Sequence, residues 1–314
     1  MTRTIAIIGA GMAGLACASR LEAAGIRVVL FDKARGPGGR MSTRRVDTSA
    51  GQVSFDHGAQ YFTARGAAFR EQVEAWAADG IVAPWPAAGP EAWVGTPGMN
   101  APVRALAARR AVTFSHQVET LIPDGAGWRL VGPNGPTGPF DAVLLAMPAE
   151  QTAALLTGVE PSMARVAAAS VTDPCWTVMA AFGQRLAIDA DTLRDQGPLG
   201  WAARNASKPG RAPVEAWVMQ GSPEWSRRHL EDPAEDVCKA LLEGLRRCSG
   251  GPIPEPIAVQ AHRWRFARSA AGDERALWSP AAGIGCCGDW LIGPRVECAW
   301  DSGEALAERV IGDL

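Results

Sequence analysis

An apolar, β-branched run at Thr4 to Ile8 is followed at once by Gly9, Ala10, Gly11, Met12, Ala13 and Gly14, and no other feature restricts the fold as much. In GxGxxG spacing the first glycine makes a tight turn, the second lets backbone approach a pyrophosphate, and the third lets helix and strand pack closely. Helical spacing from Ala13 to Ala24 puts Leu15, Ala18 and Leu21 on one face, Gly25 ends the helix, and Arg27 to Phe31 reads as a second strand. Asp32 closes that strand 18 residues after Gly14, where a carboxylate accepts both hydroxyls of an adenosine ribose and disfavours a 2′-phosphate. The βαβ opening predicts a dinucleotide site. It leaves FAD and NAD both open.

The remaining 282 of the 314 residues must complete that domain and leave room for about one more. Lys plus Arg is 31 and Asp plus Glu is 33, so the net charge of -2 supplies no overall field for a nucleic acid. Seven cysteines without a CxxC or zinc spacing read as reduced thiols, with no metal site expected. The strand starting at Thr4 leaves no room for a leader, and no run of about 18 apolar residues occurs, so a cytoplasmic protein off the membrane is expected. Oligomeric state stays open. Twelve tryptophans stand against the single Tyr61, a bias that serves either a core or a flat ligand.

Three features favour a flavin. Arg35 to Met41 reads RGPGGRM, placing two more glycines and Arg40 near the same pyrophosphate; a glycine-rich turn with a solvated arginine is the alternative. Gly283 to Cys287 reads as a short strand, Gly288 and Asp289 follow, and Val296 to Leu314 has helical spacing. A carboxylate there can hold a ribityl chain, and the helix N-terminus can face an electron-rich ring edge; simple packing is the alternative. Strands at Ala111 to Val118, Trp128 to Val131 and Ala142 to Ala146, linked by turns at Pro123 to Gly127 and Gly132 to Gly138, make the nucleotide domain discontinuous.

Taken together, IAIIGAGMAGLACA, RGPGGRMSTRR, FDHGAQYFTAR, the VLLAMP strand end, AHRWRFA and CCGDWLIGPRVECAWDSGEA resemble the FAD-dependent amine-oxidase superfamily and, more narrowly, its short bacterial renalase-like branch. The stretch from about 155 to 255 matches only loosely. The resemblance implies FAD held by Gly9, Gly11, Gly14, Asp32, Lys33, Arg40, Met41, the backbone of Val118, Asp289, Trp300 and Ser302. It implies that Phe55 to Phe62 runs past the isoalloxazine with His57, Gly58, Ala59 and Gln60 nearest the ring. It further implies a flavin oxidase that takes hydride from 2- and 6-dihydroNAD(P), giving NAD(P)+ and passing electrons to oxygen as hydrogen peroxide. An FAD-dependent amine oxidase or desaturase is the enzyme alternative, and a non-catalytic flavin-binding or sensing protein is the other.

Hydride transfer needs alignment and a dry site rather than a nucleophile, and the chain has no GxSxG, HExxH or Walker loop. Several amine oxidases of the superfamily use a lysine near the flavin. Of Lys33, Lys208 and Lys239, none is expected there: Lys33 adjoins Asp32, Lys208 lies in the loop-like NASKPGR, and Lys239 belongs to an amphipathic helix with Val237, Leu241, Leu245 and Cys248 inward. The caging pair is altered too, with Trp300 at one cage position and Tyr61 the only tyrosine. His262 and Trp264 in AHRWRFA are candidates to hydrogen-bond and stack on a nicotinamide, or else a satisfied histidine and a core tryptophan. With Gln60 and Trp300 they form the expected catalytic set. His116 and His229 read as structural or solvated, and Trp176, Trp201 and Trp217 as core, with lining of the pocket by one or two of these tryptophans the alternative.

The expected fold is therefore α/β. A discontinuous Rossmann-like FAD-binding domain (1–65, 101–155 and 275–314) joins a second α+β substrate domain (66–100 and 156–274) built on a mixed or antiparallel sheet. FAD is expected to be non-covalent, with a small-molecule substrate, a dihydronicotinamide dinucleotide or an amine, between the two domains.

Overall fold

The computed structural model describes residues 3–313, so residues 1 and 2 of the expected nucleotide domain and Leu314 of its last helix lie outside the described residues. β-Branched Thr4–Ile8 is the centre of a six-stranded sheet, flanked by Arg27–Phe31 and Ala142–Leu145. Val112–Thr113 extends one side, and Ile284–Cys286 then Leu277–Ser279 the other; all pairs are parallel except the last. Being covered on both faces, the central strands are almost wholly apolar, as parallel sheets require.

The two ends of the chain meet on this sheet. Helix Met12–Ala23 packs against helix Val296–Gly312 so closely that a Cβ on Gly303 would lie 2.2 Å from the Ala13 carbonyl oxygen. Only glycine allows that approach.

A three-stranded antiparallel sheet inserts between the parallel strands: Thr120–Asp124, Gly127–Gly132 and Gly135–Phe140. It corrects the expected pattern here. The regions around Pro123 and Gly132 to Gly138 are strand and hairpin, and their prolines are tolerated because Thr120–Asp124 and Gly135–Phe140 are edge strands. The expected strand from Ala111 to Val118 is only Val112–Thr113, because Ser115 takes φ of 55° and the chain turns back to bond Asp32 and Ala34.

The second sheet is antiparallel, in the order Thr192–Gln196, Leu199–Arg204, Glu215–Gly221, Thr172–Phe182, Ala258–Ser269. Helix Ala234–Arg247 covers one face with Val237, Leu241 and Leu245 against Trp217 and Met219. The other face packs Met179, Ala181 and Val218 on Val53 and Phe55 of the hairpin Thr43–Thr48/Gly51–Asp56. That hairpin ties the two sheets together and delivers the chain from Asp56 into the space between them.

The segment 66–100 was expected with the second sheet. It touches both halves: helix Ala67–Ala78 buries Phe69, Val73 and Trp76 in the core that holds Leu15, Leu21 and Leu306 but also Trp201 and Ala203 of the second sheet, and Trp85 Nε1 donates to the Ser207 hydroxyl at 3.1 Å. All seven cysteines are free, and among the described residues no helix is long and apolar enough to cross a membrane.

Candidate functional site

A cleft of about 2330 Å³ runs between the two sheets. Small-ligand sites commonly occupy roughly 300–1,000 Å³, so this one has room for a dinucleotide and a second flat molecule. Its first end is built from the glycine turn. Gly9 has φ of +108° and a Cβ there would lie 2.3 Å from the Ala146 oxygen, so backbone packing demands glycine. Gly11 differs: it lines the cleft and a Cβ would meet nothing within 4 Å, leaving space for a ligand. The helix begun there has no side-chain cap and no acid in its first turn, so its first amides are free to receive an anion. Gly14 does not line the cleft; its role is packing, with a Cβ 2.0 Å from the Gly9 oxygen.

Asp32 accepts from the Ala10 and Ala34 amides, 2.8 Å to each oxygen, which orients the carboxylate and leaves each oxygen a further acceptor site. Lys33 lines the cleft but donates to Gln151 at 3.1 Å. His116 is here as well, buried against Phe31 with ring centroids 4.9 Å apart, a cleft position that its sequence context did not suggest.

Arg40 and Asp289, given separate duties by sequence reasoning, are partners. Arg40 Nη1 donates to Asp289 Oδ2 at 2.8 Å and Nη2 to Oδ1, a bidentate pair with Asp289 buried and both side chains on the cleft wall. Met41 and Val118 also line the cleft. Ser302 does not. Its buried hydroxyl accepts from the Gly288 amide at 2.9 Å and donates to the Arg275 carbonyl at 2.7 Å, bracing the turn before Asp289.

The loop from His57 to Gln60 is pinned from three directions. Ala59 donates to the Arg40 carbonyl at 2.8 Å, Trp264 Nε1 donates to the His57 carbonyl at 2.8 Å, and Gln220 donates to the Gly58 carbonyl at 2.7 Å. A Cβ on Gly58 would lie 2.0 Å from the Arg40 oxygen, so the loop can take only glycine there. The rings of His57, His262 and Trp264 cluster with centroids 4.4–5.1 Å apart, and all three line the cleft. Burial, then the neighbouring His262 and Arg44, hold His57 down at about 3; burial and Arg44 hold His262 at about 4. Both are neutral near pH 7.

One expected cleft residue is placed elsewhere, and one loop residue is more deeply buried than its context suggests. Trp300 is absent from the cleft wall: Val296 and Ala299 face it, and the next position lies about 100° round the helix, where Trp300 packs on Phe69 with centroids 5.5 Å apart. Lys208, set aside as a loop residue, is fully buried, its Nζ 3.2 Å from Asp56 Oδ2 and 3.1 Å from Gln60 Oε1. Lys239 is on the expected helix, paired with Glu235.

Two further cleft residues stand beside Tyr61, which directly follows the loop. Trp201, read as core, lines the cleft with Tyr61, centroids 5.6 Å apart, under the Arg194 guanidinium at 4.2 Å. The motif around Tyr61 offered a hint; Arg194 had no local signal. Trp176 and Trp217 are in the core, as their strand context suggested. Eleven arginines and Lys33 line the cleft against four carboxylates, Asp32, Glu119, Asp195 and Asp289. A chain of net charge -2 thus concentrates positive charge in its one large cavity among the described residues.

The uncapped helix, the open glycine cradle and the oriented Asp32 carboxylate fit the pyrophosphate and ribose of FAD. The family described as NAD(P)-binding Rossmann-like domain matches residues 7–76, and that described as Flavin containing amine oxidoreductase matches residues 87–311. A solved structure from Exiguobacterium sp. 255-15, whose name proposes a protoporphyrinogen oxidase, superposes with a TM-score of 0.80 at 13% identity over 100% of both chains. Cyclohexylamine oxidase from Brevibacterium oxydans IH-35A gives 0.73 at 12% identity over 99% of both. These two establish similarity of fold. A zeta-carotene-forming phytoene desaturase of Myxococcus xanthus is 49% identical over 45 residues, 14% of this chain and 9% of that protein's length.

Proposed function

The chain belongs to the flavin containing amine oxidoreductase family and is an FAD-dependent oxidoreductase, and from that premise we propose that it oxidises dihydronicotinamide dinucleotides, the 2- and 6-dihydro isomers of NAD(P). In the proposed reaction the substrate loses a hydride, becoming NAD(P)+, and oxygen gains that hydride and one proton to become hydrogen peroxide. Bound FAD supplies the two-electron acceptor between them.

The observation that carries this reading is the charge of the cleft. A primary amine is a cation at neutral pH and meets eleven arginines; a dinucleotide brings a pyrophosphate that those arginines attract and can grip bidentately. Arg44 lies beside the histidine cluster, its Nη2 3.4 Å from His262 Nδ1, and Arg45 and Arg194 also line the cleft, so guanidinium groups are available for phosphate recognition. Removing a hydride from a dihydronicotinamide leaves an aromatic cation and no proton to abstract, which suits a site whose two histidines are neutral and too weakly basic to act as bases. His262 and Trp264 offer a hydrogen bond and a flat face for the carboxamide-bearing ring, and the pinned loop 57–60 supplies a rigid wall that excludes water. Cys175, on the cleft wall, has its thiol pushed up by burial to about 11, and so unreactive a thiol supports FAD bound without a covalent link.

The test is anaerobic mixing of the FAD-loaded protein with borohydride-reduced NAD and NADP and, separately, with an amine panel. Rapid bleaching of the flavin by a dihydro isomer, slowed by raised salt and by Arg45→Glu, is the expected result. Bleaching only by amines overturns the reading in favour of amine oxidation; no bleaching by either favours a non-catalytic flavoprotein.

A further inference from the structure

Behind the loop that carries Gln60 lies a cluster of buried charge with no part in the reading above. Asp56, at the end of its strand, is fully buried and receives Lys208 Nζ at 3.2 Å, Arg211 Nη2 at 2.6 Å, the Thr43 hydroxyl at 2.9 Å and the Met99 amide at 2.8 Å. One carboxylate thus answers two cations, and the cluster holds one positive charge in excess. The rest of Lys208's environment is the Trp85 ring, 5.1 Å from Nζ to its centroid, and Gln60 Oε1 at 3.1 Å.

Those contacts decide how the Gln60 amide is turned. Its oxygen faces the ammonium, so its nitrogen must face acceptors, and it donates to the Asp56 carbonyl at 2.5 Å and the Gly58 carbonyl at 3.1 Å. Gln60 is itself buried yet touches the cleft, and Lys208 does not reach the cleft. The amide is the direct hydrogen-bonded link from the Lys208 ammonium to the cavity; the Thr43 hydroxyl, also on the cleft wall, reaches the ammonium only through Asp56.

We propose that Lys208 is a positioning residue that acts on the cofactor through Gln60: its ammonium orients the Gln60 amide and lends the cleft wall a positive charge that stabilises electrons delivered there. This rests on the flavin lying against residues 57–60, as the proposed function has it. A preorganised charge in a dry site acts strongly on charge developing nearby. Burial pushes Lys208 down to about 8; Asp56 opposes that shift, and Arg211 adds to it. Those are the two ionised groups acting on it. The charge is therefore present at neutral pH and lost in mild alkali.

The experiment uses the FAD-loaded protein and no substrate, so it stands apart from the identity of the hydride donor. Flavin midpoint potential and visible spectrum are followed from pH 6 to 10 in the wild type, Lys208→Arg, Lys208→Met, Gln60→Ala and the Lys208→Met/Gln60→Ala double variant. The wild type should fall away from Lys208→Arg near pH 8, towards more negative potential, because arginine keeps its charge. Lys208→Met should track the wild type's alkaline limit at every pH, and in the Gln60→Ala background the same change should have a smaller effect, only the through-space charge remaining. A wild type parallel to Lys208→Arg throughout overturns the inference, as does a Lys208→Met effect that is undiminished without Gln60. Should Lys208→Met fail to fold, the wild type against Lys208→Arg still decides. A spectrum indifferent to Gln60→Ala overturns the placement of the flavin on this loop.

Discussion

Replacing Gly303 by alanine tests how the meeting of the chain's two ends builds the cofactor site. The new Cβ would lie 2.2 Å from the Ala13 oxygen, 3.0 Å from the Cys17 nitrogen and 3.1 Å from the Ala13 carbon, all backbone atoms that no rotamer change can move aside. To restore an ordinary contact of 3.4 Å the two helices must separate by about 1.2 Å. Overpacking of this kind costs about 1–3 kcal/mol. Ala13 is the second residue of its helix, so the displacement falls on the amides that face the cleft. If about 2 kcal/mol of the strain is relieved by distorting that terminus, FAD affinity drops about thirtyfold. Gly312→Ala, in the same helix with nothing within 4 Å of its Cβ, is the control; it should leave affinity unchanged and, through helix propensity, cost no stability. Affinity is read by flavin fluorescence titration and stability by thermal melting. A Gly303→Ala protein with wild-type melting and wild-type FAD affinity would refute the reasoning.

Asp289→Asn should weaken FAD binding at least tenfold by leaving Arg40 without its bidentate partner, whereas Arg40→Lys, which keeps the charge, should recover only part of the binding lost in Arg40→Met; equilibrium dialysis checks the order. Asp56→Asn leaves Lys208 and Arg211 buried without their anion and should destabilise by about 3–5 kcal/mol in urea unfolding. Burial raises Asp56 but Lys208 and Arg211 outweigh it and hold it at about 2, below the unfolded 3.8, so its stabilisation is present above pH 4 and drains away towards pH 2. Acid titration by circular dichroism should show the wild type losing its advantage over Asp56→Asn across that interval. His57 and His262, held at about 3 and 4, bind protons less readily folded than unfolded, so they withdraw stability as pH falls from 6.5 towards 3. Because both stay neutral above pH 5, the rate of flavin reduction should show no inflection near 6.5; an inflection there that His262→Asn removes would contradict the assigned states.

Local sequence was enough for the first strand, glycine turn, helix and second strand, whose observed limits differ by at most a residue from those read off the apolar spacing. The reason is that strand period, glycine conformation and helix facing are all decided within a few residues. The terminal helix was legible for the same reason. The hairpin Thr43–Thr48/Gly51–Asp56 was not, since its pairing partner and its apolar support on Met179 and Val218 lie far away in sequence. The same limit explains Trp300, whose motif gave its helix but not the direction it points round that helix.

By itself the sequence determined a dinucleotide cradle, because that rests on short-range geometry; the candidate wall at residues 57–60 and 262–264 was what the family resemblance implied. Charge at the site was beyond its reach. A total of -2 says nothing about where the arginines converge, and nothing in the loop-like stretch around Lys208 indicates that folding buries it next to Asp56 and Gln60, about 150 positions away. Burial and electrostatic pairing depend on distance in space, and only the packing of one sheet against the other sets that.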